Sequence, residues 1–108
     1  MYSLKQNKQL KNGGQMNEQT QEQIVNCGAF YFSAEKTAMV IATDVKEQER
    51  IIKALKNDSS PERKLYETGK TRAEYEVMTK LFELARSGDI QAIKEFDRRT
   101  KTNIRQGF

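Results

Sequence analysis

Ser33, the Thr43–Asp44 pair and Asp89 each stand at the head of a run in which apolar residues recur every three or four positions. That spacing is the period of a helix, and a side-chain oxygen able to accept from a free backbone N–H is what a helix start requires. No run alternates with the period of a strand; "GAFYF" (residues 28–32) is the one candidate, and it is short. The chain therefore reads as all-α. A short helix-turn-helix unit comes first, an antiparallel helical hairpin follows, and the ends are flexible basic tails.

The helices can be placed from the same signals. A first helix is expected over residues 17–27, anchored by Ile24 and Val25 and closed by Gly28. Ser33 caps a second over residues 34–42, with Thr37, Ala38, Ile41 and Ala42 on one side. After the break at Thr43–Asp44, residues 45–57 turn Val45, Ile51, Ile52 and Leu55 inward. Pro61 suits the first position of a short helix ending at Gly69. From Thr71 the longest stripe begins, with Tyr75, Met78, Leu81, Phe82 and Ala85, broadened by Val77 and Leu84. Ser87–Gly88 stops it, Gly88 tolerating a left-handed backbone. Asp89 caps a last helix whose Ile90, Ala92, Ile93 and Phe96 face inward. The expected organisation is a flexible basic arm at 1–16, a helix-turn-helix-like unit at 17–58, a hairpin for core closure and self-association at 59–99, and a basic tail at 100–108.

Charge is concentrated at the ends. Residues 1–16 carry Lys5, Lys8 and Lys11 and no acid, and residues 98–108 carry Arg98, Arg99, Lys101 and Arg105 with no acid. The whole chain is +4, so the +3 and +4 ends leave the body at −3. Basic ends suit a polyanion such as double-stranded DNA, because phosphate contacts release counterions; they also suit a tail that merely keeps a chain in solution. With hydrophobic residues at 36% and no Trp, the core must be modest, and some self-association of the wide apolar stripe is expected through Met78, Leu81, Phe82, Ala85, Ile93 and Phe96. No apolar run approaches the ~20 residues that span a bilayer, so no membrane contact is expected. The first residues hold no apolar signal core, so a cytoplasmic location is expected.

In a helix-turn-helix the second helix enters the major groove while basic side chains hold phosphates. Lys46, Arg50, Lys53 and Lys56 avoid the apolar side of the third helix and are the candidate contacts, joined by Arg98, Arg99 and Lys101 at the far end. Ala38 stands where the motif wants a small residue and Ile51 where it wants a buried one. Ala42 replaces the usual turn glycine, Gln48 takes a position that is normally apolar, and Glu47 and Glu49 would repel phosphate.

Catalytic machinery is not apparent. There is no His, so no Ser or Cys nucleophile has an imidazole base, and the carboxylates Glu74 with Glu76 and Glu95 with Asp97 do not share a helix face. Gly69-Lys70-Thr71 lacks the earlier glycine and the preceding strand of a phosphate-binding loop, since Lys64 occupies the glycine position. Cys27 is the only cysteine, which rules out a disulfide within the chain and reads as a small buried hydrophobe. No metal or cofactor is expected, and no enzymatic activity.

"CGAFYFSAEKTAMVIATD" (residues 27–44) and "SSPERKLYETGKTRAEYEVMTKLFELARSGDIQAIKEFDRR" (residues 59–99) together resemble the small terminase subunits of tailed phages. The similar features are a helix-turn-helix entered through an aromatic-rich turn and a Tyr-x-x-Gly-Lys segment at Tyr66, Gly69 and Lys70. A helical turn carrying Leu84, Ala85, Gly88, Asp89, Ala92, Ile93 and Lys94 completes them. The resemblance implies a non-enzymatic DNA-packaging factor in the host cytoplasm. It would recognise viral DNA, assemble with copies of itself, often as a ring, and deliver the DNA to a large ATPase–nuclease subunit. A structural or adaptor virion protein, acting through helical contacts without DNA, is the alternative; a dimeric transcriptional regulator is a third.

Overall fold

The computed structural model describes residues 16–107. The arm expected over residues 1–16 lies outside that range except for Met16, which packs against the core. Five helices follow in order, with no strand among the described residues: α1 (Glu18–Ala29), α2 (Ala34–Ile41), α3 (Val45–Leu55), α4 (Pro61–Arg86) and α5 (Ile90–Gln106).

Each start is made by a short polar side chain. Asn17 Oδ1 accepts from the Thr20 N–H at 2.8 Å, Ser33 Oγ from Lys36 at 3.0 Å, Asp44 Oδ2 from Glu47 at 2.9 Å and Asp89 Oδ1 from Ala92 at 2.9 Å. Ser60 Oγ serves α4 in the same way, accepting from the Arg63 N–H at 3.0 Å. Each cap satisfies a donor that the helix leaves orphaned, a gain of about 1 kcal/mol.

The chain divides into two compact units, residues 16–73 and residues 74–107. The division falls within α4, not at the 58/59 boundary expected from sequence. In the first unit, Ile24 of α1, Ala38 of α2 and Ile51 and Leu55 of α3 form a buried cluster, with Ile52, Leu65 and Tyr66 against it. Ala38 and Ile51 are both buried, as their helical spacing predicts. Ala42 replaces the turn glycine without strain, because its backbone is extended (φ −138°, ψ 149°). Gln48 is drawn into the same turn, donating to the Ala42 carbonyl at 2.7 Å. Val45, expected inside, is exposed. Cys27 is buried as expected, and burial pushes its thiol pKa up while the Thr37 hydroxyl opposes that shift; a thiol held protonated is a poor nucleophile.

Two glycines expected to end helices instead sit inside them. α1 runs through Gly28 to Ala29, and α4 runs unbroken through Gly69 for 26 residues. The physical reason is a backbone-to-backbone approach of α1 and α4. A Cβ on Gly28 would lie 2.0 Å from the Tyr66 carbonyl oxygen, and one on Gly69 would lie 1.9 Å from that of Val25. The residue that closes α1 is Tyr31, in the left-handed region at φ 60°. Around it the Phe32 N–H bonds to the Cys27 carbonyl and the Tyr31 N–H to that of Gly28, each at 3.0 Å. These two bonds define a Schellman end, with a tyrosine where glycine is the usual occupant.

In the second unit, the Phe82 and Phe96 rings meet at 5.7 Å, and Gly88 adopts the left-handed backbone (φ 97°) between the helices. The basic tail expected from residue 100 is helical as far as Gln106. Ion pairs one turn apart carry the helix through this polar stretch: Arg99 Nε to Glu95 at 2.7 Å and Lys101 Nζ to Asp97 at 3.0 Å. Gly107, at φ 85°, ends it.

Candidate nucleic-acid and assembly surfaces

The basic residues expected to contact DNA fall into two sets, one in each unit. Lys46, Arg50 and Lys53 on α3 and Lys56 at its C-cap are all exposed, as expected from their helical spacing. Their charges are not equally available. Arg50 makes a two-pronged contact with Glu47, with Nη2 to Oε2 at 2.7 Å, and its Nη1 lies 3.6 Å from the buried carboxylate of Glu62. Glu47, more than Glu62, raises the Arg50 pKa, and the Arg50 guanidinium in turn holds Glu47 below the usual carboxylate range. Lys56 Nζ lies 3.2 Å from Glu35 of α2. Lys46 and Lys53 make no ion pair among the described residues. They are seven positions apart on one face of α3 and are the available cations of the expected reading helix.

On α5, Arg98 and Arg99 both hydrogen-bond the Glu95 carboxylate, while Lys101 pairs with Asp97. The Arg98 and Arg99 hydrogen bonds, Arg98's first, hold the Glu95 pKa down at about 2. The consequence is testable by NMR. A group whose pKa is lowered on folding adds stability above its unfolded pKa, near 4.3, and loses it as pH falls through the folded value. Followed through its side-chain carbon shift, Glu95 is expected to stay ionised at pH 3.5, below the ordinary range of a glutamate. A midpoint for Glu95 near 4.3 would show that the fork is open in solution.

Gly69-Lys70-Thr71 lies inside α4, so it forms no loop that could cradle a phosphate. Among the described residues no group of three His, Cys, Asp or Glu side chains converges as a metal site would require. Comparison with known protein families, with curated proteins and with solved structures finds no match. The surfaces therefore stand on their own geometry.

The apolar candidates behave differently from the basic ones. Met78, Leu81, Ala85 and Phe96 are half-buried, and Phe82 is spent partly on Phe96 and partly under Arg86, whose guanidinium carbon lies 5.6 Å from its ring centre. Ile93 is 45% exposed, and Tyr75, expected on the inward stripe, is exposed as well. Of all the described residues in the second unit, only Ala92 is buried, at 4% exposure. Sequence reasoning placed Ile90 inside and passed over Ile104, yet these are 65% and 73% exposed. The signal was present in the spacing. Ile90, Ile93 and Ile104 fall on one face of α5, with the polar Asp97 and Thr100 between the last two. Val77 and Leu84 extend the exposed apolar surface on α4. Among the described residues, no helix is long and apolar enough to cross a membrane.

Proposed function

We propose that this chain is a non-enzymatic DNA-binding protein of the small-terminase type that works as an assembly of identical subunits. The observation that carries the reading is the composition of residues 74–107, which present Ile90, Ile93, Ile104, Val77 and Leu84 to solvent while burying Ala92 alone. A unit of fewer than about 40 residues does not stabilise itself from so small a core, and exposed apolar surface of that kind marks a contact with another molecule. A second copy of the chain brings the same apolar seam and needs no further component.

Assembly also bears on DNA. A subunit offering Lys46 and Lys53 as available cations on α3 binds duplex weakly, but several subunits acting together convert weak contacts into avidity. On this reading α3 faces DNA and α4 and α5 join subunits, while on α5 Arg98 and Arg99 share the one carboxylate of Glu95 and Lys101 is offset by Asp97. Delivery of DNA to a large ATPase–nuclease follows only from the small-terminase resemblance. The adaptor reading, helical contacts without DNA, is favoured by a separate observation. Residues 16–73 carry nine Lys or Arg and nine Asp or Glu, a neutral balance for a DNA-facing unit.

Duplex binding separates the two. The double variant Lys46→Glu, Lys53→Glu is expected to lose at least tenfold in duplex affinity at low salt and to show a shallower dependence on salt, since phosphate contacts set that slope. Both positions are exposed and make no ion pair among the described residues, so circular dichroism of the variant should match the parent. Binding that is absent in the parent chain, or indifferent to both salt and these changes, would leave the adaptor reading.

A further inference from the structure

The turn between α1 and α2 carries the one backbone outlier among the non-glycine residues described. Tyr31 occupies a left-handed position (φ 60°) that favours glycine. A bulky aromatic residue there is strained, and burial does not compensate it, because Tyr31 is 60% exposed and its neighbour Phe30 51% exposed. A strained residue whose side chain serves no packing points to a role outside folding.

Its surroundings indicate the ligand. Lys70 Nζ lies 5.7 Å from the centre of the Tyr31 ring, and Lys36 Nζ lies 4.7 Å from that of Phe32. Beside the turn is a concavity of about 210 Å³ lined by Phe32, Tyr66, Lys56, Arg63 and Lys70, with Glu67 its one acid. Lys70 belongs to both the ring and the concavity. Glu67 is neutralised by Arg63 at 2.9 Å, and Glu35 at the same end of α2 by Lys56 at 3.2 Å. Asp58 also lies 3.3 Å from Arg63, and Glu67 lies 3.8 Å from Lys70, so four cations stand around the turn against three acids, and Lys36 makes no ion pair among the described residues. The scaffold is firm: Tyr66 Oη donates to the Phe32 carbonyl at 2.6 Å, and the glycine crossing of α1 on α4 lies immediately behind it.

We infer that the Phe30–Tyr31–Phe32 turn is a stacking site for single-stranded nucleic acid, with Tyr31 as the base platform and Lys36 and Lys70 receiving the adjoining phosphates. Exposed aromatic rings beside lysines are the chemistry by which a single strand is held without sequence preference. Lysine at the contact disfavours a protein partner, since interface cores are depleted of it. Lys56 lines the concavity as well as being a candidate duplex contact, whereas Lys46 and Lys53 do not line it, and the proposal does not depend on the duplex reading.

The test measures the full chain against fluorescein-labelled (dT)12, by anisotropy at low salt, with the matching duplex as competitor. The expected result is that Tyr31→Gly weakens (dT)12 binding at least tenfold while the melting temperature stays level or rises. Tyr31→Phe retains binding, Lys70→Glu weakens it, and Lys46→Glu with Lys53→Glu weakens it less than it weakens duplex binding. Failure of that last pair to affect duplex would sink the α3 reading alone. Absence of (dT)12 binding, or Tyr31→Gly binding within twofold of the parent, overturns the stacking site. So does a duplex that competes as well as the strand itself. Dissociation of an assembly by Tyr31→Gly also overturns it, by assigning the ring to a subunit contact.

Discussion

Gly69→Ala is expected to lower the melting temperature by roughly 15 °C, although alanine is the better helix former. In an exposed helix this exchange stabilises by about 1 kcal/mol. Here the new methyl carbon would sit 1.9 Å from the Val25 carbonyl oxygen and 2.8 Å from its carbon. Those are backbone atoms, so no rotamer change relieves the overlap and α1 must move off α4. Overpacking of this kind costs about 1–3 kcal/mol even where side chains can adjust, so a net loss of about 3 kcal/mol is expected. Gly28→Ala, with its methyl 2.0 Å from the Tyr66 oxygen, should behave alike. The two losses should add to less than their sum, because either one separates the same pair of helices. Thermal unfolding followed by circular dichroism measures this, and a melting temperature that rises in either variant would show that the close crossing is absent in solution.

Ile93→Asp combined with Ile104→Asp is expected to dissociate the assembly, weakening it at least 100-fold, about 2.7 kcal/mol. Within the subunit both side chains are exposed, at 45% and 73%, so the change leaves the helices intact. Between subunits it would bury carboxylates among apolar groups, where an unpaired charge is strongly unfavourable. The two effects separate cleanly: helical content near that of the parent chain, with loss of mass in solution. Ala92 provides the contrasting position. It is buried inside the unit, so Ala92→Asp should reduce helical content as well as assembly.

The parts of the fold legible in sequence are those governed by local chemistry. Ser33, Asp44 and Asp89 cap helices because a short polar side chain beside free N–H groups needs no distant partner. Ala38 and Ile51 are buried where their spacing places them. Gly28 and Gly69 were not legible, because a glycine in a helical pattern reads as a stop unless the opposing backbone is known. The helix through residue 100 was hidden by its polarity, and its support from Glu95 and Asp97 depends on pairs one turn apart. The basic surface was legible as a list of side chains but not as a field. The buried Glu62 belongs to α4 and Glu35 to α2, and only folding brings them to Arg50 and Lys56. The apolar seam shows the limit most plainly, since periodicity names a face without naming what covers it. Ile90 and Ile93 carry the same kind of apolar spacing that buries Ile51 and Leu55, but among the described residues nothing closes over them.

The central claim is that copies of the chain cover that seam, and the molar mass in solution tests it most directly. Multi-angle light scattering on the full chain at tens of micromolar, without nucleic acid, should return a multiple of the 12.5 kDa subunit mass and the subunit mass itself for the Ile93→Asp, Ile104→Asp variant. A parent chain that elutes at 12.5 kDa across that concentration range would contradict the account.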